Sequence, residues 1–474
     1  MNKSPRPLPL LAAALALASA ALAGAPRFPP APPLKMTVPS FQVSGLPCGL
    51  KVVFLRDDAM PLVSGRLLMA GGAVLDPPGK EGLAALACSA MREGGSGGLS
   101  PQEFDAAVEN RAASISVGPE TEDFSASFHC LSGDLKEVLK LFSGMLLDPA
   151  FDPARLQTAR QDLAESLGHV EDTPDSITRV LFTKALFGPG DYGRWASPAS
   201  VAGLDRADVL RFFRQNFGPR GAVLALAGRF DPASTLAQLR ADFASWKGGA
   251  PVAGRAGPRP LGPAIYFFPK QVPQVFIRLG FKGLKRHDPR NIPLQVANDV
   301  LGGSGFSSRL MRQIRSDRGL AYFAYSTFQP EDVAGPFEVV VGTRPDAVKE
   351  TLDLAFGILK KFAQAGPTPG ELKQAQQGMV EAFADNFESP YDLADYEAGL
   401  DFHGYRPDYL ASYRRRVRAV TRAQAGQAAA SVLGQQDWVM AVCGPADLEP
   451  VLKGFGRVVK VEDVFKPLPK DPHS

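Results

Sequence analysis

The chain has 474 residues, and its 52 Lys and Arg against 49 Asp and Glu leave a formal net charge of +3. Apolar residues make up 45% and charged residues 21%, the values of a globular protein large enough to bury its own core. Collagen, coiled coils and multi-span membrane proteins are excluded, and with no basic block a nucleic-acid partner has no support.

Lys3 and Arg6 precede an apolar run from Leu8 to Leu22, and Ala21-Leu22-Ala23 supplies a small-x-small cleavage pattern. The run is shorter than the roughly 20 apolar residues that a membrane span needs. Residues 1–23 are therefore expected to be a signal peptide cut after Ala23, giving a periplasmic or secreted protein with no membrane insertion of the mature chain. Residues 24–36 form a Pro-rich spacer, too rich in proline for a helix or a central strand. Cys48, Cys88, Cys130 and Cys443 follow. In that compartment they can pair in three ways or stay buried thiols, and the sequence does not choose. No C-x-x-C pair is present, which excludes a zinc ribbon or a thioredoxin-like site.

Beyond the spacer the chain repeats itself. Residues 156–174 (LQTARQDLAESLGHVEDTP) match 372–390 (LKQAQQGMVEAFADNFESP), with Leu156/Leu372, Ala159/Ala375, Gln161/Gln377, Glu165/Glu381 and Pro174/Pro390 identical at an offset of 216. The same offset takes Gly228 to Gly444, each closing a buried-strand pattern (AVLALAG, WVMAVCG). Arg66–Gly72 resembles Arg278–Gly283 at a slightly smaller offset. Each copy opens with alternating strands, at 50–55 and 62–69 in the first and at 264–268 and 274–281 in the second, and continues with amphipathic helices. Strands and helices mixed without regular βαβ alternation predict an α+β fold of two homologous domains, each an antiparallel-rich sheet covered by helices. Their expected bounds are 37–247 and 264–468, joined by a Gly/Pro linker at 248–263.

The second copy carries LGGSGFSSRLMRQIRSDRGLAYFAYSTF at 301–328: a Gly-rich turn, an amphipathic helix built on Leu310 and Ile314, then R-G-L-A-Y entering a strand. This resembles the C-terminal domain of the pitrilysin/insulinase metallopeptidases, a family that includes the mitochondrial processing peptidases and the core proteins of respiratory complex III. The first copy is similar as well, with Gly82-Leu83-Ala84 opening a helix and VEDTP expected on a long helix. The resemblance spans about Thr37 to Phe465. It implies one half of a clamshell.

Active members of that family carry an inverted zinc motif, H-x-x-E-H, after the G-L-A, and a further Glu about 77 residues on. Two His four apart share a helix face and bind zinc, while the Glu beside them activates water. Here the four positions read Ala85, Cys88, Ser89 and Ser166. Ala85 has no lone pair, Ser is a poor zinc ligand and Cys88 cannot act as a carboxylate base. No zinc is expected on this chain. The resemblance also implies an Arg and, seven residues on, a Tyr that reach the active site of the opposite domain; Arg315 and Tyr322 have that spacing. The Arg would hold a substrate carbonyl and the Tyr hydroxyl would donate to the oxyanion. Arg318 reads as the structural arginine of the same turn. The Gly-rich turn at 301–308 is expected to let a peptide backbone approach closely.

A chain with Arg/Tyr and without zinc ligands resembles the non-catalytic subunit of a two-chain peptidase. The implied partners are a zinc-bearing homologous subunit and a peptide substrate. Two alternatives stand beside this: a binding or assembly protein of the same fold, and an autonomous enzyme with a reinvented metal site at Cys88, Glu165 and His169. His129 reads as a strand-end histidine, His287 and His403 as loop histidines, and His473 as part of the tail.

Overall fold

The computed structural model describes residues 39–249 and 255–469; the expected signal peptide, the whole of the spacer, the middle of the linker and His473 lie outside them. The first half contains β1 (Gln42–Gly45), β2 (Lys51–Arg56), β3 (Leu62–Ala70), α1 (Leu83–Glu93), α2 (Pro101–Glu109), β4 (Ser114–Pro119) and β5 (Asp123–Leu131). It continues with α3 (Leu135–Leu147), α4 (Pro153–Gly168), α5 (Pro174–Phe187), α6 (Pro198–Ala202), α7 (Arg206–Asn216), β6 (Val223–Gly228) and α8 (Pro232–Asp242). The second half contains β7 (Ala264–Pro269), β8 (Val275–Lys282), α9 (Asn291–Asn298), β9 (Ala321–Phe328), β10 (Pro336–Thr343) and α10 (Val348–Ala365). After these come α11 (Pro369–Ala382), α12 (Pro390–Phe402), α13 (Tyr409–Arg418), α14 (Arg422–Leu433), β11 (Val439–Gly444), α15 (Glu449–Lys453) and β12 (Val458–Lys460).

The strand orders are β1-β2-β6-β3-β5-β4 and β12-β7-β11-β8-β10-β9, one plan used twice. Only the outermost strand differs, β1 running antiparallel to β2 and β12 parallel to β7. The fold is α+β, two six-stranded sheets each flanked by helices. The 216-residue offset recurs in the element starts: Pro153 and Pro369 open α4 and α11, Pro174 and Pro390 open α5 and α12, and Val223 and Val439 open β6 and β11. The prolines sit at N1, where a missing N–H costs nothing. Thr173 caps α5, accepting from the Ser176 N–H at 3.3 Å, and Ser389 caps α12 in a reciprocal box with Asp392.

Strands β6 and β11 are apolar throughout because both faces are covered. Leu224 and Leu226 join the core under the first half's own helices, while Val223, Ala225 and Ala227 pack on Ala394 and Ala398 of α12. Met440 and Val442 likewise join their own half's core, whereas Val439, Ala441 and Cys443 meet Ile177, Leu181 and Phe182 of α5. Helices α5 and α12 are thus exchanged: each covers the sheet of the other half. Repeat-related arginines tie them down. Arg66 of β3 donates to Asp395 of α12 at 2.8 Å, and Arg278 of β8 donates to Asp175 of α5 at 2.8 Å. The described end of the linker is anchored too, the Leu261 N–H donating to the Ala185 carbonyl at 2.8 Å and Arg255 to the Val74 carbonyl at 2.6 Å.

All four cysteines are free thiols; Cys88, Cys130 and Cys443 are buried, and Cys48 is half-buried. Burial pushes the Cys130 and Cys443 thiols up to about 12 and Cys88 higher still. Because the thiolate is the reactive form, iodoacetamide on the native protein at pH 8 is expected to label Cys48 alone, and all four after unfolding. Intact mass reads the count, and native labelling of Cys88 would contradict its packing.

Candidate functional site

The four positions of the lost metal motif begin on α1. Gly82 stands at its N-cap with φ 98°, and a Cβ there would lie 2.7 Å from the Val201 side chain. Asp76 secures this end, its carboxylate accepting from the Gly82 and Ala84 N–H groups at 2.7 Å each. Burial pushes that carboxyl up to about 6, against the pull of those two donors. Ala85 and Ser89 lie half-buried along α1, and Cys88, 1% exposed, is packed into the first half's core. Ser166 is exposed in the last turn of α4. A methyl group, two hydroxyls and a core thiol held neutral do not fit a zinc ion.

The alternative metal set does not assemble. VEDTP does not lie on one long helix: α4 stops at Gly168, residues His169–Asp172 form a 3₁₀ turn, and Thr173 caps α5, which Pro174 opens. Glu165 therefore sits in α4 and His169 beyond it, where its Nδ1 is 2.7 Å from Asp172. Among the described residues, no group of three or more His, Cys, Asp and Glu is placed to hold a metal ion. His129 hydrogen-bonds with Ser64 at 2.8 Å on β5, and His287 packs on the Tyr405 ring. His403 is the C-cap of α12 and begins the turn that follows it.

Arg315 and Tyr322 flank the turn that leads into β9. The segment Met311–Ser316 is wound with i→i+5 hydrogen bonds, the Asp317 N–H reaching the Arg312 carbonyl at 2.8 Å, a geometry frequent at functional sites. Leu310 and Ile314 are fully buried beneath it, as the amphipathic pattern predicts. Arg315 points outward over the Phe306 ring, 4.9 Å from its centroid, and makes no ion pair among the described residues. Arg318 pairs with Glu350 of α10 at 3.2 Å.

Opposite β10 the register shifts between Gly342, paired with Phe323, and Thr343, paired with Ala321, so Tyr322 is the extra residue of a β-bulge. Such bulges re-aim a side chain. Tyr322 is 60% exposed, and its hydroxyl bonds no described residue. The Gly-rich turn has a use within the chain: a Cβ on Gly302 would lie 2.2 Å from the Ser326 nitrogen, so the backbone it admits is that of β9. No hydrogen bond or ion pair among the described residues joins Arg315 or Tyr322 to α1 or α4.

The model of the Insulinase (Peptidase family M16) family matches residues 51–194, and that of the Peptidase M16 inactive domain matches 203–379. An uncharacterized zinc protease of Streptomyces coelicolor is 31% identical over 57% of this chain and 62% of that relative. The non-peptidase homolog YmxG of Helicobacter pylori is 24% identical over 69% of this chain and 76% of that protein. Matches to the first curated relatives span 61–63% of their length. Among solved structures, a peptidase M16 inactive domain from Pseudomonas fluorescens superposes with TM-score 0.79 at 25% identity, covering 91% of this chain and all of that one. Two M16 models lie in order along one chain whose two halves share one topology, and the chain belongs to peptidase family M16, the insulinase family.

Proposed function

We propose that this chain is the exported, zinc-less subunit of a heteromeric M16 peptidase. Its own α1 carries no histidine, and its one cysteine is packed in the core with its thiol held neutral, so a homologous zinc-bearing chain would supply the metal and the water-activating carboxylate. This chain would supply Arg315, to hold a carbonyl of an extended peptide, and Tyr322, to donate to the oxyanion. The observation that carries the reading is the contrast between the two halves. The first half has replaced every ligand, while the second holds an arginine without an ion pair among the described residues and a bulged tyrosine aimed at solvent. Export rests on Lys3, Arg6 and the apolar run to Leu22.

A binding or assembly role is the second reading, favoured by the match to a non-peptidase homolog. Hydrolysis of a fluorogenic peptide library separates the two. The purified chain alone is expected to be inert, and activity is expected when a zinc-bearing M16 chain of the same organism is added. Inertness with every such chain, and no complex on size-exclusion chromatography, would leave the assembly reading.

A further inference from the structure

Away from Arg315 and Tyr322, a cleft of about 570 Å³ opens between the two halves. Its floor is Arg66 and Leu68 of β3, and one wall is the Glu120–Asp123 turn joining β4 to β5. The facing wall is Gln329–Glu331, just past β9, and the roof is Gly399 and the tyrosines of the α12–α13 corner. The strand β9 separates it from Tyr322 by seven residues, about 23 Å at the usual rise.

Charge within the cleft does not balance. Arg66 is committed to Asp395 at 2.8 Å and to the Ser125 hydroxyl at 2.7 Å. Arg286 is committed to Asp332 at 3.0 Å and to Glu122, which also accepts from the Tyr192 hydroxyl and the Asp332 N–H. Glu331 is left over. It is 8% exposed, lines the cleft, and its Oε2 is buried with no hydrogen-bond partner among the described residues. Its loop is fixed, since the Glu331 carbonyl accepts from the Arg286 N–H at 2.6 Å. Asp395 Oδ1 is likewise partnerless. Buried acceptors without donors are rare in native structures and each calls for a cause.

No cation among the described residues forms an ion pair with Glu331, and Arg286 is already committed to Glu122 and Asp332. Burial, and the like charge of Glu122, push its carboxyl up to about 8, with Asp332 and Glu338 adding to the shift and Arg286 opposing it. Asp123 on the facing wall is raised to about 6 by burial and by Glu120. His403 is driven down to about 4 by burial and by Arg286, so its ring stays neutral. The aromatic corner already accepts one guanidinium, Arg416 lying 4.7 Å over the Tyr409 ring. Aromatic faces beside a desolvated carboxylate are a cation's surroundings, and the volume lies within the range of ligand pockets.

We propose that this cleft binds a guanidinium or primary ammonium group, seated against the Glu331 carboxylate beside Tyr396 and Tyr405. The group could belong to a free amine or to a basic side chain of a peptide. The site is independent of any zinc-bearing partner.

Calorimetric titration of the full chain tests it with agmatine, with the blocked peptide Ac-Ala-Arg-Ala-NH2, and with its norleucine analogue. Both cations are expected to bind and the analogue not to. Agmatine alone binding would place a small free amine in the site. Because the bound cation needs an ionised Glu331, affinity is expected to be at least about tenfold higher at pH 8.5 than at pH 6. Glu331→Gln should lower it at least about tenfold at pH 8.5. An added Cβ at Gly399 meets nothing within 4 Å, so Gly399→Phe should fill the cleft and abolish binding while leaving Glu331 in place. No binding to the wild type, equal binding of the norleucine peptide, or unchanged binding in both variants would overturn the proposal.

Discussion

Tyr322→Phe, assayed with a zinc-bearing M16 chain that restores activity, is expected to lower kcat roughly 100- to 1,000-fold with KM little changed. The substitution removes one hydroxyl from an exposed ring that hydrogen-bonds nothing in the described protein, so neither folding nor subunit contact should suffer. On the proposed function, what is lost is the oxyanion donor, the hydroxyl of the tyrosine that the β-bulge carries. Arg315→Ala should raise KM as well, since a group that holds the substrate acts before the transition state. Arg318→Ala is the internal control. Its partner Glu350 is a solvent-exposed neighbour, and such pairs contribute about 0–1 kcal/mol. A Tyr322→Phe protein as active as wild type would remove the oxyanion role and with it the main argument for a shared active site.

Phe182→Ala is expected to cost about 3–5 kcal/mol of stability, the range for removing a buried aromatic ring. Phe182 is 2% exposed on α5 and packs on the second half's sheet, where a Cβ on Gly280 would lie 2.2 Å from its ring. The corresponding positions of the first half hold Leu68 and Ala398, so large and small residues have changed sides between the repeats. The double variant Phe182→Ala/Gly280→Leu should therefore recover part of the loss, limited by the Phe337 carbonyl 3.1 Å from the new Cβ. Urea unfolding followed by circular dichroism and tryptophan fluorescence should give one shared transition, because α5 belongs to one half by chain and to the other by packing. Two separate transitions, with only one of them moved, would mean the halves are thermodynamically independent.

The duplication was legible because packing constrains it position by position. Strand ends at Gly228 and Gly444, and helix starts at Pro174 and Pro390, are fixed by local chemistry that two copies keep in step. The exchange of α5 and α12 was not, since a repeat tells which segments correspond and not which sheet each one covers. Placing VEDTP on one long helix overlooked Gly168 and the Thr173–Pro174 pair, a helix end followed at once by a new cap and N1 proline. Of the candidate site, the lost ligands were legible through the family resemblance, which marks Ala85, Cys88, Ser89 and Ser166 as the positions of the zinc motif. The bulge at Tyr322 could not, because it exists only in the pairing with β10. The cleft at Glu331 was hidden for a similar reason: its walls come from β3, the β4–β5 turn, the loop after β9 and the α12–α13 corner, which no sequence spacing connects.

The traded helices also say something about ancestry. A single repeat standing alone would present Val53, Leu55, Val223, Ala225 and Ala227 as a bare apolar face, while its own fifth helix had no sheet of its own to cover. Two identical copies would resolve both problems by lending each other that helix, the arrangement of a swapped homodimer. In this chain the two lenders are fused end to end, and once covalently joined they were free to diverge. The first copy now holds Ala85, Cys88, Ser89 and Ser166, while the second holds Arg315 and the bulged Tyr322 elsewhere in its fold, an asymmetry that strict twofold symmetry would have forbidden.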